Sequence, residues 1–87
     1  MYTVQWARSA LDKLAKEWIN ADSTGRWAIT HAIGQIDDEL QLAPHHVGES
    51  RPTGRRIIFV APLGVVYKVI SEDRIVHVLD VWRFQTR

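Results

Sequence analysis

The chain has 87 residues, of which 46% are hydrophobic and 24% charged, with a formal net charge of +1 and no cysteine. That length fills one small core and leaves no material for a second, so a single domain over residues 1–87 is expected. The missing thiols exclude a disulfide framework, a cysteine nucleophile and a thiolate metal site. No apolar run approaches the roughly 18 residues that a bilayer-spanning helix needs. The opening MYTVQWARSALDKL lacks the basic-then-apolar layout of a secretory leader, so the expected compartment is the cytoplasm.

The first element is YTVQW, in which Tyr2, Val4 and Trp6 alternate as one side of a strand. The period then changes. In ARSALDKLAKEWIN, Ala7, Leu11, Leu14 and Trp18 recur at helical spacing, and Ser9 with Asp12 suggests a weak capping box. NADSTG interrupts, with Asp22 or Ser23 as the next N-cap. From Arg26 to Leu42 the helical period returns, with Ile29, Ile33, Ile36 and Leu40 on one face and Pro44 as the stop. The short connection makes the two helices an antiparallel hairpin.

HHVGESRPTG reads as a loop. Three strands follow: RRIIFVA, GVVYKVI and RIVHVLDVWRF, the last two joined by a tight hairpin at SED. Their β-branched density predicts buried, central strands. The expected architecture is α+β: order β-α-α-β-β-β, a helical hairpin packed on one face of an antiparallel sheet, with the N-terminal strand added at an edge. The other face of the sheet is left open.

Charge is uneven along the chain. Residues 1–44 carry −2 and residues 45–87 carry +3, which favours an anionic partner for the second half. Arg51, Arg55 and Arg56 stand in RPTGRRII with no acid among them. Guanidinium forks match phosphate oxygens, so these residues are candidate anion ligands. Arg55 and Arg56 point to opposite faces of a strand and cannot both serve one site. Trp82 beside Arg83 has the pairing that base stacking over a phosphate grip requires, although it would also plug the sheet end or lie beneath a partner. His77, among valines, is either a packed imidazole or an acid–base group. Tyr67 should be buried with a partner for its hydroxyl. Asp80 should pair with Arg55, Arg56 or Arg83. His45 and His46 are adjacent without a third ligand, so no metal site and no cofactor is expected. Of Trp6, Trp18 and Trp27, all three follow the core periodicity.

The order of elements, GESRPTGRRI entering a strand, and above all LGVVYKVISEDRIVHVLDVWR together resemble the RelE/ParE superfamily, the toxin halves of type II toxin–antitoxin pairs. The last block resembles the family's paired strands: V-x-Y, an acidic turn, then V-x-V-L-x-V ending in basic residues. The resemblance covers nearly the whole chain. It implies a cognate antitoxin protein as partner and, as the expected activity, ribosome-dependent cleavage of mRNA, with poisoning of DNA gyrase as the alternative. RelE-like members cleave mRNA on the ribosome; ParE-like members poison DNA gyrase. A third possibility is a degenerate toxin fold that only binds its antitoxin.

For the RNA-cleaving branch, the resemblance implies catalytic roles for Arg56 and Arg83, with His77 as substitute acid or base. Arg51, Arg55 and Trp82 would hold RNA or another anion. Two features of the RelE-like pattern are missing. The arginine that enters the middle strand is replaced in PLGVVY by Leu63 and Gly64, and WRFQTR offers no C-terminal tyrosine or histidine. The expectation on which the nuclease reading depends is that these guanidiniums converge on one concave surface.

Overall fold

The computed structural model describes residues 1–84. In chain order the elements are β1 (Thr3–Trp6), α1 (Arg8–Asn20), α2 (Ser23–Leu42), β2 (Glu49–Ser50), β3 (Arg55–Val60), β4 (Leu63–Ile70) and β5 (Ile75–Arg83). They form a two-layer α+β fold, with the helical hairpin on one face of a five-stranded sheet of order β1-β5-β4-β3-β2.

The sheet is mixed. β3, β4 and β5 make the expected antiparallel meander, whereas β1 lies at the edge parallel to β5, pairing Val4 with Val76 and Trp6 with Val78. The reason is topological. The hairpin carries the chain from the β1 edge to the opposite edge, and the meander walks back, so its last strand arrives beside β1 running the same way.

The stretch expected to be loop contains a short strand: Glu49 pairs with Ile57 and Ser50 with Arg56. Gly48 makes this return possible. Its φ is +70°, and a Cβ there would stand 2.5 Å from the Ile57 carbonyl oxygen, so a side chain meets both strain and a clash.

Asp22 caps α2 as expected, accepting a 2.8 Å hydrogen bond from the Gly25 amide. Helix α2 begins at Ser23, one turn before its apolar period becomes visible. The expected Ser9 cap is absent, since α1 starts after Ala7 with no side-chain cap; Asp12 instead pairs with Arg8 at 3.4 Å.

The core is built from Ala10, Ile29, Ile36 and Leu40 of the helices against Ile58, Val65, Tyr67, Val76, Val78 and Val81 of the sheet. Val78 and Val81 are three apart yet both buried. The register slips at this point: Tyr67 faces Val78 and Val66 faces Asp80, so Leu79 is an extra residue. This bulge resets the alternation and turns both valines toward the helices.

Three expected core residues are not core. Leu11 (45%), Trp18 (42%) and Trp27 (64%) remain exposed. Helix α1 buries Ala10 and half-buries Leu14, a stripe shifted by about one position from the predicted one. Trp27 projects from the flank of α2, where its ring stacks on His31.

Candidate functional site

Alternation along the meander sorts every candidate to one of two faces. Arg56, Ile58 and Val60 of β3 share the helix side with Leu63, Val65 and Tyr67 of β4, as the burial of Ile58, Leu63, Val65 and Tyr67 shows. Arg55, Ile57 and Phe59 share the open side with Gly64, Val66 and Lys68.

Across the open face the register builds one polar row. Arg55 lies opposite Lys68, Lys68 opposite His77, and His77 opposite Gln5. Opposed Cβ atoms on neighbouring strands are about 5 Å apart, so an oxyanion can touch two of these side chains at once. Among the described residues neither Arg55 nor Lys68 forms an ion pair. Like charges set opposite each other are unfavourable until an anion joins them. Sequence reading selected Arg55 and His77 but overlooked Lys68. The signal was present: the tight turn after Ile70 pairs Ile70 with Ile75, and counting back pairs Lys68 with His77.

About four residues further along β3, roughly 13 Å away, the open face changes character. The Trp82 indole covers Gly64, where a Cβ would meet ring atoms at 2.5 Å. Phe59 is 53% exposed. It stands edge-on to Trp82, with centroids 5.9 Å apart, and to Phe84 at 5.8 Å. Such T-shaped contacts order the rings into an aromatic ledge. Ile57 and Val66, half-buried, link the ledge to the polar row.

Arg56 and Arg83 do not join this face. The Arg56 guanidinium reaches down to the loop before β2. It donates to the Val47 oxygen at 3.0 Å, the Gly48 oxygen at 3.2 Å, Ser50 Oγ at 2.9 Å and the Tyr67 hydroxyl at 3.3 Å. The buried Tyr67 hydroxyl in turn lies 2.9 Å from the Pro44 oxygen and 2.8 Å from the Val47 oxygen. Burial raises the Tyr67 pKa, opposed by Arg56, so the phenol stays a neutral donor and Arg56 works as a structural latch.

Arg83 follows Val81 onto the helix side, and its Nη2 lies 3.0 Å from where a Gly25 Cβ would be. It is opposite Leu63 while Arg56 is opposite Tyr67, roughly 13 Å apart along β4. The expected convergence of Arg56, Arg83 and His77 is therefore not present; strand alternation and the bulge separate them.

Arg51 sits at the β2 edge, bonded to Glu49 at 2.9 Å and to the Ser50 oxygen at 3.0 Å. Asp80 also departs from expectation. Its partner is Lys13 of α1 at 2.7 Å, not an arginine of the sheet. The Lys13 hydrogen bond holds its carboxyl below the usual carboxylate range.

No protein-family model matches the sequence, and neither does any curated protein. Similarity appears in three dimensions. A structure of the chromosomal ParDE toxin–antitoxin system of P. aeruginosa superposes with a TM-score of 0.76 at 18% identity, covering 98% of each chain. The toxin–antitoxin complex RelBE2 of Mycobacterium tuberculosis gives 0.75 at 20% identity, covering 94% of this chain and 90% of that one. The isolated E. coli RelE toxin gives 0.67 at 22% identity, covering 100% and 88%. By element order and by overlap along nearly its whole length, this chain has the fold of the RelE/ParE toxins.

Proposed function

We propose that this chain is the toxin half of a type II toxin–antitoxin pair, acting in the cytoplasm and held silent by a cognate antitoxin protein. The full-length likeness to toxin–antitoxin structures supports that role. Within it, the geometry favours a toxin that arrests its target by binding, with DNA gyrase as the target, as in ParE-like toxins.

One observation carries the preference. Metal-free RNA cleavage needs several cations and a proton-transfer group around one phosphate. Here Arg56 is held by loop carbonyls and Arg83 lies on the helix side, while an indole covers the open face at Gly64. An aromatic ledge beside a short basic row is the composition of a protein-docking surface: apolar anchors with a charged margin.

Titration of purified gyrase with this protein tests the reading. Supercoiling should fall with increasing protein and recover on adding the antitoxin; unaffected supercoiling rejects gyrase as target. A strain that grows normally on induction rejects the toxin role itself.

The ribosome-dependent mRNA-cleaving reading keeps one specific support, the row Arg55–Lys68–His77. It sets two cations and an imidazole in one row of the open face. In that reading His77 is the acid or base, Arg55 and Lys68 grip the phosphate, and Trp82 stacks a base.

A further inference from the structure

Helix α2 has a second flank, away from both the sheet face and α1. There a cleft of about 570 Å³ lies between α2 and the β3–β4 turn, lined by Trp27, His31, Gly34, Gln35, Asp38 and Val60 among others. Spacings of three and four residues place the helical members on a single stripe. Trp27 is 64% exposed, and its ring stacks on His31 with centroids 3.8 Å apart and a tilt of 32°. That contact orders the indole while leaving most of it in water.

At the other end of the stripe Asp38 is exposed and forms no ion pair among the described residues. No lysine or arginine among the described residues lines the cleft. Asp37 and Glu39 flank Asp38 in the last turns of α2, where the helix already presents its negative end. The crowding is felt: burial raises the Asp37 carboxyl, and the Asp38 charge raises it further. Between the two ends, Gly34 leaves open space, with nothing within 4 Å of a Cβ built there. A glycine inside a helix is unfavourable, and here it lets another backbone come close.

We propose that this cleft binds a basic segment of a partner polypeptide, one arginine or lysine pairing with Asp38 and a second lying on the Trp27 ring. Guanidinium and ammonium groups are attracted to an indole face and to an unpaired carboxylate. Trp27 and Asp38 are eleven residues apart on α2, roughly 16 Å. An extended chain covers that span in about five residues. The two basic side chains therefore stand about five positions apart. Because α2 covers the face of the sheet opposite the polar row, a segment bound here leaves the open face free.

The test is a titration of the isotope-labelled chain with a blocked peptide carrying two arginines five positions apart in a glycine–serine background. Amide signals of His31, Gly34, Gln35, Asp38 and Ala61 should shift and saturate. Asp38→Asn and Trp27→Ala, both at exposed positions and checked for folding by circular dichroism, should each weaken binding by roughly fivefold. Arg55→Ala should leave it unchanged. Equal binding by Asp38→Asn, shifts confined to other residues, or no saturable shift overturns the proposal.

Discussion

Trp82 lies over Gly64 so closely that even a methyl group at position 64 would stand 2.5 Å from the indole. The two residues are directly opposed on β5 and β4, and together they make the β3–β4 turn end of the open face aromatic rather than charged. Trp82→Ala and Phe59→Ala remove anchors from an exposed surface rather than from the core. Both should fold and still bind antitoxin, while the protein concentration needed for half-inhibition of gyrase rises at least about tenfold, the effect of losing an interface anchor. Unchanged inhibition by both variants would remove the ledge from the function.

The Arg56–Tyr67 latch predicts a stability effect rather than a catalytic one. Tyr67→Phe strands the Pro44 carbonyl, and Arg56→Ala loosens the Val47, Gly48 and Ser50 contacts. Each should cost about 1–3 kcal/mol in urea unfolding. If Arg56→Ala unfolds at the same urea concentration as the parent but has lost activity, Arg56 acts on the target directly.

Gly48→Ala should be costlier than an ordinary surface change. Its φ of +70° and the 2.5 Å approach to the Ile57 oxygen oppose any Cβ. An expected loss of about 2 kcal/mol or more combines left-handed strain with displacement of β2. Equilibrium unfolding reads it, and a neutral result would show that the loop relaxes without β2.

Two carboxylates give opposite acid responses. Burial, partly offset by the Trp6 hydrogen bond, raises the Asp37 pKa. Its contribution to stability is therefore full below the unfolded value near 3.8 and is lost as pH rises through the folded value. Asp80 is depressed by Lys13, so its contribution is present above the unfolded value near 3.8 and lost as pH falls through the folded one. The Lys13–Asp80 pair is about half exposed, and solvent screening keeps it small. Asp37→Asn should raise the Tm near pH 7, because the amide oxygen still accepts from Trp6. It should also remove the gain that the parent shows on mild acidification. A lower Tm at pH 7 with the acid response intact would refute this.

Much of the fold was legible because its periods are clean. Tyr2, Val4 and Trp6 announce β1, the isoleucines of α2 announce its buried face, and the tight turn after Ile70 fixes the β4–β5 register. What stayed hidden depends on tertiary geometry. The Leu79 bulge leaves no composition signal, yet it decides where Val81 and Arg83 point. The parallel placement of β1 follows from where the meander ends, not from β1 itself. Trp27 has core spacing, but α2 buries a narrower stripe than its apolar residues suggest. At the site, the opposed directions of Arg55 and Arg56 were readable from strand alternation. Arg56's capture by Val47 and Gly48 was not, because it depends on a loop folding back through a left-handed glycine.

Mapping mRNA 5′ ends after controlled induction tests the central claim most directly. If this protein stops growth by docking its aromatic ledge on a protein target, transcripts remain uncut while growth halts. New ends at ribosomal decoding positions that vanish in Arg55→Ala and His77→Ala would contradict that account and give the polar row a nuclease role.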